Sequence, residues 1–197
     1  MAALMREAGK KRCFWCGASD IYIAYHDEEW GRPCHDDRAL FEFLTLEGAQ
    51  AGLSWLSILK RREGYRKTFS DFDARAVANF GEADVERMMN EPRIIRNRAK
   101  IKSAINNAAR FLEVQAEFGS FDVYVWGFVG GKPIINNFHE GDPVPAETDI
   151  SRAMSKDLRK RGFSFVGPTI CYAFMQAVGM VNDHYLECWT RSGAVGP

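Results

Sequence analysis

Four residues that can bind zinc lie near the two ends of this 197-residue chain. Cys13 and His26 are close to the start, and His184 and Cys188 are close to the end. On a helix, a His-x-x-x-Cys spacing places both side chains on one face about one turn apart, so a tetrahedral ion could join the two ends. The spacing therefore predicts a globular, intracellular protein held together by a metal.

The ligand set stays open at this point because Cys16 forms a C-x-x-C pair with Cys13 and could replace His26 as the fourth ligand. Five cysteines are an odd number for a disulfide framework, and residues 1–12 are basic and polar without the apolar core of a signal peptide. Cysteines in such a chain more often bind metal, or pack as small hydrophobic side chains, than form disulfides.

Length and composition favour one domain without a membrane segment. A chain of 197 residues that is 46% hydrophobic can bury a substantial core. Charged residues break the longest apolar stretches well before they reach the length of a membrane span. We therefore expect a soluble cytoplasmic protein.

The formal net charge is zero, yet basic residues cluster in residues 93–102 and 156–161. Two local patches on a neutral body suit a protein that contacts a polyanion with one face. Each patch taken alone is equally well explained as an ordinary solvated helix face.

Apolar periodicity and capping residues predict helices over most of the chain, so the fold class is all-α. Only residues 123–126 have a β-like composition, and they are short and flanked by helical patterns. The predicted helices cover residues 36–46, 54–69, 74–80, 82–90 and 97–118.

Residues 151–180 predict two helices joined by a tight turn. A basic helix stops at Gly162, and an apolar helix begins at Pro168 or Thr169. Free N–H groups at the second helix, next to Gly167, could bind a DNA phosphate without reading sequence. A Gly-Pro pair is also common in a plain helical turn, but the basic patch upstream favours a helix-hairpin-helix DNA-binding element.

Aromatic residues gather near the N-terminus, where the usual explanation for any one of them is the core. Glu47 differs because it lies in a stretch of apolar and small residues, where burying an unpaired carboxylate is costly. The sequence therefore predicts a partner or a ligand for Glu47.

Four motifs in a fixed order resemble DNA-3-methyladenine glycosylase I, and the likeness runs from about Arg12 to Cys188. The motifs are YIAYHDEEWG at residues 22–31, LEGAQAGLSW at 46–55, KRGFSFVG at 160–167 and VNDH at 181–184. The resemblance implies the helix-hairpin-helix glycosylase fold, with a zinc ion joining the N- and C-termini. It divides the chain into an N-terminal extension (1–11), one glycosylase domain (12–189, with the hairpin at about 151–180) and a C-terminal tail (190–197).

The same resemblance assigns roles to individual positions. The implied ligands of a structural zinc ion are Cys13, His26, His184 and Cys188. The implied catalytic and base-binding residues are Glu47, Tyr25, Trp55, Tyr22 and Trp30, and Leu53 is expected to fill the gap left in the duplex. The implied DNA-binding residues are Gly167, Lys160 and Arg161. Asp183, next to a ligand position, is expected to be structural.

The resemblance implies a DNA repair enzyme that flips N3-methyladenine out of double-stranded DNA and hydrolyses its N-glycosidic bond. No lysine lies in the matched pocket motifs, so a monofunctional enzyme, acting as a monomer, is expected. The alternative is a non-catalytic zinc protein that binds nucleic acid, which would leave Glu47 without a role. A zinc hydrolase is disfavoured if protein ligands fill all four positions.

Overall fold

A computed structural model describes residues 9–191 of the chain. The expected N-terminal extension and C-terminal tail therefore lie mostly outside the described residues, which omit 1–8 and 192–197. The described part is built almost wholly from helices, which agrees with the all-α class.

The elements follow one another in chain order as follows. The α-helices of the described residues are α1 (Asp20–Glu28), α2 (Asp37–Gln50), α3 (Trp55–Leu59), α4 (Arg62–Thr68), α5 (Ala74–Ala78), α6 (Glu82–Met89), α7 (Arg98–Phe118), α8 (Phe121–Gly127), α9 (Asp149–Lys160) and α10 (Pro168–Ala177). Short 3₁₀ helices cover Phe14–Cys16 and Ser70–Phe72, and two short strands, β1 (Ile134–Ile135) and β2 (Val181–Asn182), pair in parallel.

Local capping signals set the helix boundaries close to the predicted ones. Asn97 caps α7 by accepting a hydrogen bond from the Lys100 N–H, and Gly119 ends the helix with φ of 89°. Asp73 caps α5, because its carboxylate accepts hydrogen bonds from the backbone N–H groups of Arg75 and Ala76. Side-chain oxygens thus satisfy N–H groups that a helix leaves free at its start.

One sequence expectation is wrong in detail. The single helix expected over residues 54–69 is two helices, because the chain turns at Lys60 and Arg61. The turn lets α4 bring Gly64 so close to Arg93 that a Cβ at residue 64 would clash with the Arg93 carbonyl oxygen. The β-like residues 123–126 belong to α8, where burial against the core and a Ser120 cap outweigh β-propensity.

Helix α2 is the centre of the fold. All residues from 40 to 49 are buried, and α2 packs against α3, α7, α8 and α10. Its buried Glu42 is fully paired, since Arg62 and Arg66 both donate to it at 2.7–3.2 Å. Arg62 also bonds Glu29, so this network fixes the end of α1 against α2.

The basic residues at 93–102 are mostly neutralised within the protein. Arg93 pairs with Glu91, Arg98 pairs with Glu82 and Glu86, and Lys102 also pairs with Glu82. This patch is therefore better described as a network of surface ion pairs than as a polyanion site. None of the helices in the described part of the chain combines the length and apolar character needed to cross a bilayer.

Candidate functional site

A cavity of about 330 Å³ lies between α1, the C-terminal part of α2, the start of α3 and the segment after β2. Its wall is largely aromatic, with a few polar groups. The lining residues are Phe14, Trp15, Tyr22, Tyr25, Trp30, Glu47, Gln50, Trp55, Val144, Ala173, Gln176, Asp183 and Tyr185. The five predicted pocket residues Tyr22, Tyr25, Trp30, Glu47 and Trp55 are all among them.

Glu47 is a buried carboxylate that faces this cavity, and only 4% of the residue is exposed. No hydrogen bond or ion pair reaches its carboxylate from the residues that the structure describes. Burial raises the pKa of Glu47 to about 8, because the charged form loses its hydration without gaining a partner. Glu42, earlier on α2, shows how the same residue type is normally paired when buried.

Aromatic rings form the rest of the binding surface. The rings of Tyr25 and Trp55 lie 5.4 Å apart at 52°, and Trp15 lies 5.2 Å from Tyr22 and 4.7 Å from Trp30. Burial raises the pKa values of Tyr22 and Tyr25, so both hydroxyls remain protonated at neutral pH. The buried indole N–H of Trp55 has no hydrogen-bond partner in the described part of the chain.

Sequence reasoning missed part of this wall. Gln50 lies one turn after Glu47 on α2, and this spacing could have revealed it because residues three apart share a helix face. Trp15 lies inside the C-x-x-C pair, only seven residues before Tyr22, whereas Gln176 and Tyr185 come from segments distant in sequence that no local pattern marks.

Asp183 lines the cavity but already accepts three hydrogen bonds. Tyr172 and Gln176 donate to one oxygen at 2.7 and 2.9 Å, and Asn136 donates to the other at 2.7 Å. These bonds join α10 and the segment after β1 to the loop that carries His184. The carboxylate is therefore positioned as a structural anchor, in contrast to Glu47.

Leu53 is not part of the cavity wall. It lies in the turn between α2 and α3, and 41% of the residue is exposed. The turn is adjacent in sequence to both Gln50 and Trp55, so an exposed leucine lies beside the cavity-lining segments.

Cys13, His26, His184 and Cys188 converge in one buried cluster, and their ligand atoms all lie within 4.8 Å of one another. Cys188 Sγ is 3.4 Å from His26 Nε2 and 3.5 Å from His184 Nδ1, and Cys13 Sγ is 3.6 Å from His184 Nδ1. Ordinary zinc bond lengths give sulfur-to-nitrogen distances of about 3.6 Å along the edge of a tetrahedron. The cluster can therefore hold a metal ion.

Outer hydrogen bonds orient both imidazoles. His26 Nδ1 contacts Asp27 at 2.7 Å, and His184 Nε2 contacts the Trp30 carbonyl oxygen at 2.9 Å, so each ring turns its other nitrogen inward. Carboxylates and carbonyls play this role behind histidine ligands of metals. Cys16 is buried nearby but is outside the four-residue cluster.

The helical geometry expected for His184 and Cys188 is wrong, because residues 183–190 form turns rather than a helix. The two side chains still meet, since the turn closed by the Cys188 N–H and the Tyr185 carbonyl brings Cys188 back toward His184. The spacing thus predicted the contact, although the backbone achieves it differently.

The cluster and the cavity share a wall. The Trp30 ring packs edge-on against His184 at 4.6 Å and stacks on His26 at 6.4 Å, while Trp30 also lines the cavity. Gly31 follows Trp30 in the chain and has φ of 73°. A Cβ atom at this position would lie only 3.0 Å from the His184 ring. A ligand bound by the four residues of the cluster would therefore also hold Trp30 in its position in the aromatic wall.

The predicted hairpin is formed by α9 and α10, which pack against each other. Gly167 is the N-cap of α10 and Pro168 is its first residue, as predicted. Lys160 and Arg159 are exposed, and neither forms an ion pair within the described residues. A guanidinium nitrogen of Arg159 would lie 3.5 Å from a Cβ built on Gly167, so this cation lies beside the helix start.

Arg161 is already engaged within the protein. It pairs with Glu117 and Asp157 at 2.7–3.1 Å, and its guanidinium lies 4.9 and 5.1 Å from the ring centres of Phe118 and Tyr124. These contacts favour a structural role for Arg161 within the hairpin.

The mostly helical fold is shared with solved glycosylase structures. A crystal structure of 3-methyladenine DNA glycosylase I matches with a TM-score of 0.89 and 50% identity, over 91% of this chain and 98% of the other. A 3-methyladenine DNA glycosylase I from Staphylococcus aureus, whose structure addresses 3-methyladenine recognition, matches with a TM-score of 0.89 and 36% identity, over 91% and 96%.

Residues 15–192 match a family model described as methyladenine glycosylase. The chain belongs to this family. It is also 48% identical over 183 residues to DNA-3-methyladenine glycosylase 1 of Escherichia coli, which covers 93% of this chain and 98% of the relative. The resemblance seen in the four sequence motifs is thereby confirmed at the level of the family.

The unpaired carboxylate of Glu47 predicts that the free energy of unfolding depends on pH. Because the pKa of Glu47 is raised in the folded protein, the folded state keeps a proton that the unfolded state releases, and stability falls as pH rises from about 4.5 to about 8. Glu47→Gln removes this loss. We expect the variant to gain stability over the wild type progressively between pH 5 and pH 8, as measured by urea unfolding.

Glu28→Gln is the matched control, because Glu28 is exposed on α1 and has no partner among the described residues. Its unfolding profile should run parallel to that of the wild type. A parallel profile for Glu47→Gln as well would show that Glu47 is not held neutral by burial.

Proposed function

We propose that this protein is a DNA repair glycosylase that hydrolyses the N-glycosidic bond of N3-methyladenine and leaves an abasic site. The observation that carries the proposal is the unpaired, buried Glu47 in the wall of an aromatic cavity. A buried carboxylate without a partner costs stability, so its presence favours a ligand that supplies positive charge. Family membership points to the same ligand.

Methylation at N3 gives adenine a positive charge, and this charge explains how the cavity selects its substrate. A cationic purine stacked on Trp55 gains a cation–π attraction of about 0.5 to 2 kcal/mol, which neutral adenine largely lacks. The cation also favours the charged form of Glu47, so binding and proton release from Glu47 are coupled. Glu47 can in addition accept a hydrogen bond from the exocyclic amino group.

The positive charge also weakens the bond to be broken, so the enzyme need not protonate the leaving base. The base must first leave the helical stack, which costs a few kcal/mol, and the exposed Leu53 would fill the vacancy. Water then attacks C1′ of an oxocarbenium-like sugar. No lysine lines the cavity in the described part of the chain, so the reaction ends at the abasic site without strand cleavage.

The metal cluster fits zinc in a structural role. Two thiols and two imidazoles at tetrahedral spacing are a set that zinc favours, and four protein ligands leave no position for a reacting water. Cys13, His26, His184 and Cys188 would hold the ion, and its contribution would be to fix α1 and Trp30 at the cavity.

Contact with double-stranded DNA is assigned to the hairpin. The N–H groups at the start of α10 and the guanidinium of Arg159 lie beside Gly167 and suit a phosphate, and the exposed Lys160 would add a second cation from the same end of α9. Arg161, which was also expected to bind DNA, would support this surface through its contacts with Glu117 and Asp157. A monomeric state and a cytoplasmic location remain predictions from the sequence.

The competing function is a non-catalytic, zinc-stabilised protein that binds nucleic acid. It would use the same hairpin and cluster but give Glu47 no role. Release of free 3-methyladenine from alkylated DNA separates the two functions directly. A protein that binds alkylated duplex but releases no base would support the non-catalytic alternative.

Replacing Glu47 or Trp55 should impair substrate selection. Glu47→Gln keeps the size and loses the charge, so excision of 3-methyladenine should fall about 10- to 100-fold. Trp55→Ala removes the stacking surface and should cost about 1 to 3 kcal/mol of base binding. Single-turnover excision and calorimetric binding of 3-methyladenine and adenine measure these effects.

The pH profile gives this prediction an internal control. For the wild type, kcat/KM should rise between pH 6 and pH 8 as Glu47 loses its proton, whereas Glu47→Gln should lack this rise. Wild-type excision by a folded Glu47→Gln variant would contradict the proposed recognition of charge.

The zinc assignment predicts a loss of both metal and stability when a ligand is removed. His26→Ala should lower the bound zinc, measured by atomic emission, together with the unfolding temperature, because metal binding adds to folding free energy. Cys16→Ala is the control and should keep one zinc ion per chain. Full zinc in His26→Ala, with loss in Cys16→Ala, would reverse the assignment.

The hairpin predicts DNA binding that depends on salt but not on sequence. Arg159→Glu with Lys160→Glu should weaken binding to undamaged duplex and lower the slope of log affinity against log salt by about 1 for each phosphate that the variant no longer neutralises. Lys67→Glu with Arg75→Glu, at exposed positions on α4 and α5 outside the hairpin, is the charge-matched control. Unchanged affinity and slope in the double variant would place the DNA surface elsewhere.

A further inference from the structure

The turn between α2 and α3 connects three parts of the proposed machinery. Glu47 lies in the last turn of α2 before it, Trp55 begins α3 after it, and Leu53 is exposed within it. Gly52 has φ of 78°, and open space surrounds the position of its missing Cβ. Contacts to other backbone atoms of the turn must therefore hold it in place.

Lys100, from the first turn of α7, supplies such a contact. Its Nζ donates to the carbonyl oxygen of Ala49 at 2.8 Å and to that of Ala51 at 2.6 Å. No backbone N–H donates to either carbonyl in the described part of the chain. The carbonyls at the C-terminal end of a helix lack partners within the helix, and a cation there is favoured by the helix dipole.

Lys100 differs in this respect from the basic residues around it. Arg98 and Lys102 form ion pairs with acidic side chains of α6 at the surface. Lys100 instead directs its amine to backbone carbonyls, and partial burial of the amine lowers its pKa. Its contact joins α7 to the one turn that carries Leu53.

We propose that Lys100 is a positioning residue for base extrusion, which holds the turn of residues 51–54 so that Leu53 can occupy the duplex while Glu47 and Trp55 receive the base. This inference rests on the proposed glycosylase function. A side chain can replace an extruded base only if its backbone resists displacement. A turn released from Lys100 would first have to be ordered on DNA, which costs conformational entropy in each binding event.

The test compares duplex substrate with free base. Lys100→Met keeps most of the side-chain length but cannot donate a hydrogen bond. Single-turnover excision from alkylated duplex should fall about 10- to 100-fold, as expected if one or two residues must be ordered on binding. Binding of free 3-methyladenine should stay within about threefold, because the free base requires no extrusion. Lys102→Met, on the same helix, is the charge-matched control and should leave both values unchanged.

A double variant distinguishes positioning from a general loss of stability. If Lys100 acts through the turn, Leu53→Ala should cost less excision in the Lys100→Met background than in the wild type. The same comparison is made with Lys100→Gln, a milder change with a shorter donor, so that a folding defect in Lys100→Met does not remove the test. Lys100→Arg, which keeps a cationic donor, should recover most of the duplex activity.

The outcomes separate the two proposals. Wild-type protein that releases no 3-methyladenine would overturn the proposed function. Active wild type, with Lys100→Met and Lys100→Gln equal to it on duplex, would overturn the positioning role alone. Equal losses of duplex excision and free-base binding would also overturn it, because they would show that Lys100 supports the cavity rather than the turn.

Discussion

The convergence of two cysteines and two histidines in one buried cluster is the constraint on which the rest of this structure depends. The cluster joins Cys13 and His26 to Cys188, and so connects the first described helix with the last described turns. Helix α1 carries both His26 and the cavity residues Tyr22 and Tyr25. The geometry of the cluster therefore also affects the orientation of the aromatic wall, because Trp30 contacts both histidines of the cluster and lines the cavity.

Two buried glutamates on α2 differ in whether the protein pairs their carboxylates. Glu42 is paired with two arginines, and the network stabilises the packing of α1, α2 and α4. Glu47 is also buried but unpaired, and its pKa of about 8 records the resulting cost. Local rules of folding are most often broken where function requires it. A buried carboxylate without a partner is suited to a ligand that carries a positive charge.

Much of the site could be predicted from the sequence because its chemistry is unusual for the surrounding residues. Glu47 stands out in an apolar stretch, and the Cys and His residues are rare enough for their spacing to matter. Helix boundaries could also be predicted where capping residues such as Asn97 and Gly167 mark them. The resemblance supplied what spacing left open, since it excluded Cys16 from the cluster.

The remaining features could not be predicted from the sequence, because contacts with distant segments determine them. Charge alone does not show that Arg161 is neutralised by Glu117, or that Lys100 turns inward while Lys102 turns outward.

The position of the cluster along the chain has a consequence for biosynthesis. During translation, Cys13 and His26 leave the ribosome early, whereas His184 and Cys188 emerge only when nearly all of the domain has been made. Assembly of the cluster is thus a late step of folding, because half of its side chains are missing until then. Until Cys188 has been synthesised, His26 of α1 lacks its contacts with the C-terminal part of the cluster. A chain truncated before residue 184 would therefore leave the surface around Cys13 and His26 exposed to proteases. Completion of the cluster therefore requires synthesis of the chain at least as far as Cys188.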